Sequence, residues 1–293
     1  MSTSLPVLGF VGIGLMGKPM TLRLLQAGFT VNVWNRSAEK LLPVIAAGAK
    51  PCNDLRELAQ ASDIILLCLA DSLAVRAVVE GHLLPAGITA KLIIDLSSID
   101  PDTTRDLAQQ ADLQHAGWVD APVSGGVPGA EQGTLAIMAG GSAEHILIAQ
   151  QVLAPLYQQL THMGGIGSGQ VTKICNQMLV SCNALVIAEM LALAERNGVD
   201  TTMLAPALAG GFADSKPLQI LAPEMARSQF EPIKWRVKTL LKDLNMANEL
   251  AKQHQQAIPM SGLAAQLMQL HGTNGYLEQD PATLIKLYRQ TSH

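Results

Sequence analysis

Short aliphatic runs alternate with helical patterns from Val7 to Ala139, and past about Gly169 the strand signal stops. Val7 to Val11 reads as a strand and Met16 to Ala27 as a helix. Thr30 to Trp34 is a second strand, followed by a helix over Leu41 to Ala47. Further apolar strands are expected at Ile64 to Leu69, Leu92 to Leu96, Trp118 to Ala121 and Leu135 to Ala139. This alternation predicts a mostly parallel sheet with helices on both faces. Buried parallel strands should be uniformly apolar, as Ile64-Ile65-Leu66-Leu67-Cys68-Leu69 is.

Beyond the glycine cluster Gly164 to Gly169, helical periodicity takes over, broken near Gly198, Gly210-Gly211, Pro217, Pro232, Pro259 and Gly272 to Gly275. A helix over Val171 to Arg196 is apolar nearly all round, which predicts burial on several sides. The expected fold class is therefore α/β: an N-terminal doubly wound sheet over residues 1–167, then an all-α C-terminal domain over residues 168–293, joined by the long helix.

Composition excludes several classes of function. Aromatics are 3% of the chain, which argues against base-stacking platforms and aromatic cages. A net charge of -4 without a basic block argues against nucleic acid as a partner. No apolar run approaches the roughly 20 residues that cross a bilayer, so no membrane partner is expected. Nor does the N-terminus carry a cationic region before its apolar run, so a cytoplasmic location is expected. Cys52, Cys68, Cys175 and Cys182 form no Cys-x-x-Cys and lie in apolar contexts, which predicts reduced core thiols. No metal-ligand spacing is visible among the histidines, and no metal site is expected.

Gly12-Ile13-Gly14-Leu15-Met16-Gly17 follows the first strand and opens a helix. In a dinucleotide site of the Rossmann type the first glycine makes the tight turn and the second lets the backbone approach the pyrophosphate. The third permits close helix–strand packing, and the helix N-terminus faces the phosphates. The motif is weak alone and gains force from its place in the first βαβ unit. Asn35-Arg36-Ser37 stands at the end of the second strand, where an acid would hold the ribose 2′-OH of NAD(H). Arg36 suits a 2′-phosphate and Ser37 adds a donor, so NADP(H) is favoured. NAD(H) stays open as the alternative, with Arg36 then a solvated loop residue.

In Gly164 to Asn176 a glycine-rich stretch runs into the long helix, with Lys173 and Asn176 three residues apart on one face. A lysine and an amide at the start of a buried helix are costly unless they hold something polar, which makes the pair a proton-handling candidate. Asp120-Ala121-Pro122-Val123-Ser124-Gly125-Gly126 reads either as a nest of amides for a carboxylate or as a β-turn that needs glycine. Ser97-Ser98 lies at a strand carboxyl end, where open α/β sheets bind ligands. Lys242-Asp243-Leu244 lies in a helical stretch from about Trp235 to Gln253, where the plain reading is a solvated face.

Together these patches resemble the β-hydroxyacid dehydrogenase family, whose members include 3-hydroxyisobutyrate dehydrogenase and tartronate semialdehyde reductase, and the resemblance runs essentially end to end. Phe10 to Met20 is similar to the family's cofactor motif and Asp120 to Gly126 to its substrate loop. Gly164 to Asn176 is similar to its catalytic segment and Lys242 to Leu244 to its C-terminal motif. The resemblance implies Lys173 as the catalytic lysine and Asn176 as its substrate-binding partner. It implies Ser124, Gly125 and Gly126 at the substrate carboxylate, and Ser98 between cofactor and substrate. It also implies Lys242, Leu69 and Ala70 at the cofactor; Ala70 departs from the family's usual Pro. Gln177 and the segment Gly210-Gly211-Phe212-Ala213-Asp214-Ser215 lean toward the tartronate semialdehyde reductase (2-hydroxy-3-oxopropionate reductase) branch.

The implied reaction is reduction of a small semialdehyde acid to a hydroxy acid and its reverse, with Lys173 as general acid and base. A lysine base near neutrality must lie well below its reference pKa of about 10.4, and burial shifts it in that direction. Tartronate semialdehyde, methylmalonate semialdehyde, succinic semialdehyde and glyoxylate all carry the required carboxylate and carbonyl. An imine reductase is disfavoured by Lys173, and a sensor or scaffold that binds NADP(H) without turnover is the non-enzyme alternative. The Ala- and Met-rich helical half predicts an apolar interface and a homodimer or homotetramer.

Overall fold

The computed structural model describes residues 5–289, which divide into two compact units, the first running to Lys173 and the second starting at Ile174. The first unit is built on one nine-stranded sheet: β1 (Leu8–Val11), β2 (Val31–Trp34), β3 (Lys50–Pro51), β4 (Ile64–Leu67), β5 (Leu92–Asp95), β6 (Gly117–Asp120), β7 (Val123–Ser124), β8 (Leu135–Gly141) and β9 (Tyr157–Gly164). The strand order is β3-β2-β1-β4-β5-β6-β8-β7, with β9 against β8. Strands β1 to β6 run parallel, while β8 runs antiparallel to both β6 and β7.

Uniformly apolar strands bury both faces, and β4 shows how. Ile64 and Leu66 join the core on one side of the sheet, while Ile65 and Leu67 join the core on the other. The helices that cover these faces are started by side-chain caps. Asp54, Asp71, Asp100 and Ser142 each accept a backbone N–H from the first turn that follows, satisfying donors a helix leaves open. Chain order reverses beside β1, which pairs with β2 on one side and β4 on the other. Open α/β sheets bind ligands at such a switch point, outside the strand carboxyl ends.

The second unit contains no strand among its described residues. Its helices are the remainder of Ser168–Arg196, then Leu204–Leu208, Lys216–Ala226, Val237–Gln253 and Pro259–His271. Leu185, Ala188, Leu191, Leu221, Met225, Leu244 and Met268 meet in one core.

Three expectations from composition need correction. The long helix is not buried all round: Leu179, Val186 and Leu193, spaced seven apart, are 69%, 53% and 66% exposed. The same helix is also long and apolar enough to cross a membrane by length and composition, with a mean hydropathy of 1.7 in its most apolar window. Lys173, Asn176 and Gln177 interrupt its first turns, and Ala184 to Ala192 supply part of the second unit's core. Finally, the cysteines are not all core thiols. Cys175 is exposed and the other three are half-buried, although burial pushes the Cys68 thiol up to about 12, with the charge of Asp95 adding. A helix that presents an apolar stripe outward explains how an apolar context can hold an exposed cysteine.

Candidate active site

The three glycines of the first loop do different work. Gly12 directly follows β1 with φ +102°, and a Cβ there would lie 2.2 Å from the Cys68 carbonyl oxygen. A Cβ on Gly17 would lie 2.0 Å from the Gly12 carbonyl oxygen. Both positions therefore need glycine for packing. Gly14 is different: a Cβ there would meet nothing within 4 Å. The loop leaves open space at the middle glycine, just before the helix Gly17–Gln26, where first-turn amides attract anions. That cradle fits the pyrophosphate of a dinucleotide.

Asn35 braces this loop: its Oδ1 accepts from Ile13 N at 2.9 Å, and its Nδ2 donates to the Ser37 carbonyl at 2.9 Å. Arg36 is exposed and Ser37 half-buried at the carboxyl end of β2. After β4, Leu69 is half-buried, Ala70 exposed, and Leu69 N donates to Ser97 Oγ at 2.9 Å. Ser98 is half-buried beyond β5. Ser124 ends β7 half-buried, followed by exposed Gly125 and Gly126 with φ of +133° and +63°. Their positive φ accounts for the glycines, since side chains are strained there.

Beneath these loops lies a buried polar network that sequence reasoning missed. Asp120 is the last residue of β6, inside the strand expected over Trp118 to Ala121, and it is the register partner of Asp95 on β5. Asp120 Oδ1 accepts from Gly167 N at 2.8 Å and Oδ2 from Gln170 N at 3.0 Å. Gln170 Nε2 donates to the Ser97 carbonyl at 2.9 Å, and its Oε1 accepts from Ile99 N at 3.2 Å. Asp95 Oδ1 accepts from Ser97 N at 2.9 Å. The first turn of the long helix is thus tied to the loop that carries Ser98, and buried Lys173 follows one turn later. Burial pushes Asp95 up to about 7, opposed by the Ser97 hydrogen bonds, with the charge of Asp120 adding to the rise. Asp120 is also raised by burial, against the pull of its backbone donors. Asp120 and Gln170 were visible within the motifs. Their pairing was not, because it spans the sheet and the helix start.

In the second unit, Asn176 Nδ2 donates to Gln177 Oε1 at 2.8 Å, and Gln177 Nε2 donates to Asp243 Oδ2 at 2.5 Å. Asp243 is buried, and Lys242 Nζ lies 3.4 Å from its Oδ1. The plain reading of Lys242-Asp243 as a solvated face is therefore wrong for the aspartate. In the loop before Lys216–Ala226, Asp214 accepts from Gly210 N and Gln219 Nε2, both at 2.7 Å, leaving Phe212 exposed. These hydrogen bonds hold the Asp214 carboxyl below the usual range. Among the described residues, no three His, Cys, Asp or Glu side chains gather as a metal site would need.

Comparison with known proteins agrees with this arrangement. Residues 7–165 match the family described as the NAD binding domain of 6-phosphogluconate dehydrogenase. Residues 167–288 match that described as NAD-binding of NADP-dependent 3-hydroxyisobutyrate dehydrogenase. The 2-hydroxy-3-oxopropionate reductase of Escherichia coli K12 is 34% identical over 283 residues, 95% of this chain and 96% of that one. An NAD-dependent L-serine dehydrogenase of Pseudomonas aeruginosa is 30% identical, over 97% of this chain and 98% of its own length. A solved 3-hydroxyisobutyrate dehydrogenase of Mycobacterium tuberculosis with L-serine superposes with a TM-score of 0.90 at 27% identity, covering 98% of this chain and 100% of that one. A dinucleotide cradle at the switch point, a buried lysine on a pinned helix and matches along nearly the whole chain lead to one conclusion: the protein belongs to the β-hydroxyacid dehydrogenase family and is an NAD(P)-dependent hydroxyacid dehydrogenase.

Proposed function

We propose that the enzyme reduces a small semialdehyde acid, of which tartronate semialdehyde is the leading candidate, to a hydroxy acid with NADP(H), and catalyses the reverse oxidation. A bound nicotinamide supplies hydride chemistry. Gly12 to Gly17 cradle its phosphates, and Asn35 holds that loop in shape. Arg36 and Ser37 stand where a 2′-phosphate is recognised, with no acid among Asn35, Arg36 and Ser37 to favour a bare ribose. Leu69, Ala70 and Lys242 complete the cofactor contacts.

Lys173 carries the proton. In the reductive direction its Nζ donates to the carbonyl oxygen as the carbon gains hydride, giving the alcohol; in reverse it takes the hydroxyl proton. Ser124, Gly125 and Gly126 hold the substrate carboxylate, Ser98 lies between substrate and cofactor, and Asn176 orients the substrate. The observation that carries this reading is the buried Lys173, one turn beyond a helix start fastened by Asp120 and Gln170 to the ends of β6 and β5.

A steady-state screen of tartronate semialdehyde, methylmalonate semialdehyde, succinic semialdehyde and glyoxylate against NADPH and NADH tests it. We expect tartronate semialdehyde with NADPH to give the highest kcat/KM, and Arg36→Ala to narrow the cofactor preference by about tenfold, or about 1.4 kcal/mol. Equal use of both cofactors by wild type and variant removes Arg36 from the account. No turnover of any of the four acids removes the substrate class.

A further inference from the structure

The Asp243 carboxylate sets the direction of a short chain of amides. The two ends of an Asn or Gln amide have nearly the same shape, so an isolated amide has no built-in polarity. A carboxylate accepts at both oxygens. Because Asp243 Oδ2 takes the Gln177 Nε2 donor, Gln177 must turn Oε1 toward Asn176, where it accepts from Nδ2. Successive residues on a helix point about 100° apart and ordinarily do not meet. Here the length of Gln177 and its anchor on the helix Val237–Gln253 make the contact. Gln177 and Asp243 are both buried, so reversing the chain would set an amide oxygen against a carboxylate oxygen without water to separate them.

We propose that Gln177 and Asp243 are positioning residues that fix the Asn176 amide with Oδ1 as the acceptor offered to substrate, so that the enzyme selects acids bearing a hydrogen-bond donor on the carbon next to the carboxylate over acids bearing a methyl there. This rests on the reading of Asn176 as a substrate-binding residue. A site built to hydrogen-bond a substrate hydroxyl discriminates against the analogue that lacks it, since its own polar group is left unpaired. Gln177 and Asp243 act through Asn176 and need not touch substrate.

Glycerate and 3-hydroxyisobutyrate differ at that carbon by hydroxyl against methyl, which makes them the probes. Their oxidation is measured in wild type, Asp243→Asn and Gln177→Leu, with the side-chain amide resonances of isotope-labelled Asn176 followed in wild type and Asp243→Asn. Wild type should favour glycerate in kcat/KM by about tenfold or more. Asp243→Asn, which preserves shape but lets the chain run either way, should bring the ratio toward one, mainly by raising KM for glycerate. The Asn176 amide resonances should move in the same variant. An equal ratio in wild type and both variants overturns the proposal, as does an Asn176 amide unmoved by Asp243→Asn. If wild type oxidises neither acid with either cofactor, the functional reading fails, and the resonance shift still decides the relay on its own. Should Gln177→Leu fail to fold, Asp243→Asn decides both arms.

Discussion

Asp95 lies fully buried beside Asp120, with a pKa of about 7 against an ordinary 3.8. Between those two values the unfolded chain has released its proton while the folded chain keeps it. The folded state then binds more protons, so stability falls as pH rises through the window and levels off above about 7. Asp95→Asn removes the ionisation and keeps an oxygen able to accept from Ser97 N. The variant should therefore gain stability over wild type near about pH 8, on the order of a few kcal/mol, and lose most of that gain near about pH 4. Thermal unfolding of both proteins across that range checks it. A difference that does not change with pH would mean that Asp95 ionises as freely in the fold as in the open chain.

At the scale of elements, the glycine loop separates packing from binding. Gly17→Ala drives a Cβ into the Gly12 carbonyl and should destabilise the apo protein by about 1–3 kcal/mol. Gly14→Ala meets no protein atom, so apo stability should hardly change while NADPH affinity falls by at least about tenfold, or about 1.4 kcal/mol. Comparing melting temperature with cofactor titration in the two variants tests this division; a Gly14→Ala protein with normal affinity would move the cradle elsewhere. The central strands were legible in the sequence because burial on both faces leaves continuous aliphatic runs, as in β4 and β5. Strand β9 was not: Tyr157-Gln158-Gln159-Leu160-Thr161-His162-Met163-Gly164 lies mostly exposed and carries little of the apolar signal a strand is recognised by. The two-residue β3 and β7 are too short to leave any pattern.

For the whole molecule, what could be read from the sequence follows from what each residue must do alone. Glycine spacing, the buried lysine and the change from alternating elements to helices are local patterns. The polar connections are not, because they join residues that only the fold brings together: Gln170 with Ser97 is a pairing 73 residues apart, and Gln177 with Asp243 one of 66. Buried, they read in sequence as ordinary polar residues. Their effect is to fix elements that the motifs merely name: the first turn of the helix that carries Lys173 in one case, the Gln177 amide in the other. The most direct test is a single turnover of wild type and Lys173→Ala, each saturated with NADPH and tartronate semialdehyde, with NADPH affinity measured in parallel. Hydride transfer should slow by about 10²–10⁴-fold while cofactor affinity stays as in wild type. Transfer at the wild-type rate in the variant would contradict the assignment of the proton to Lys173.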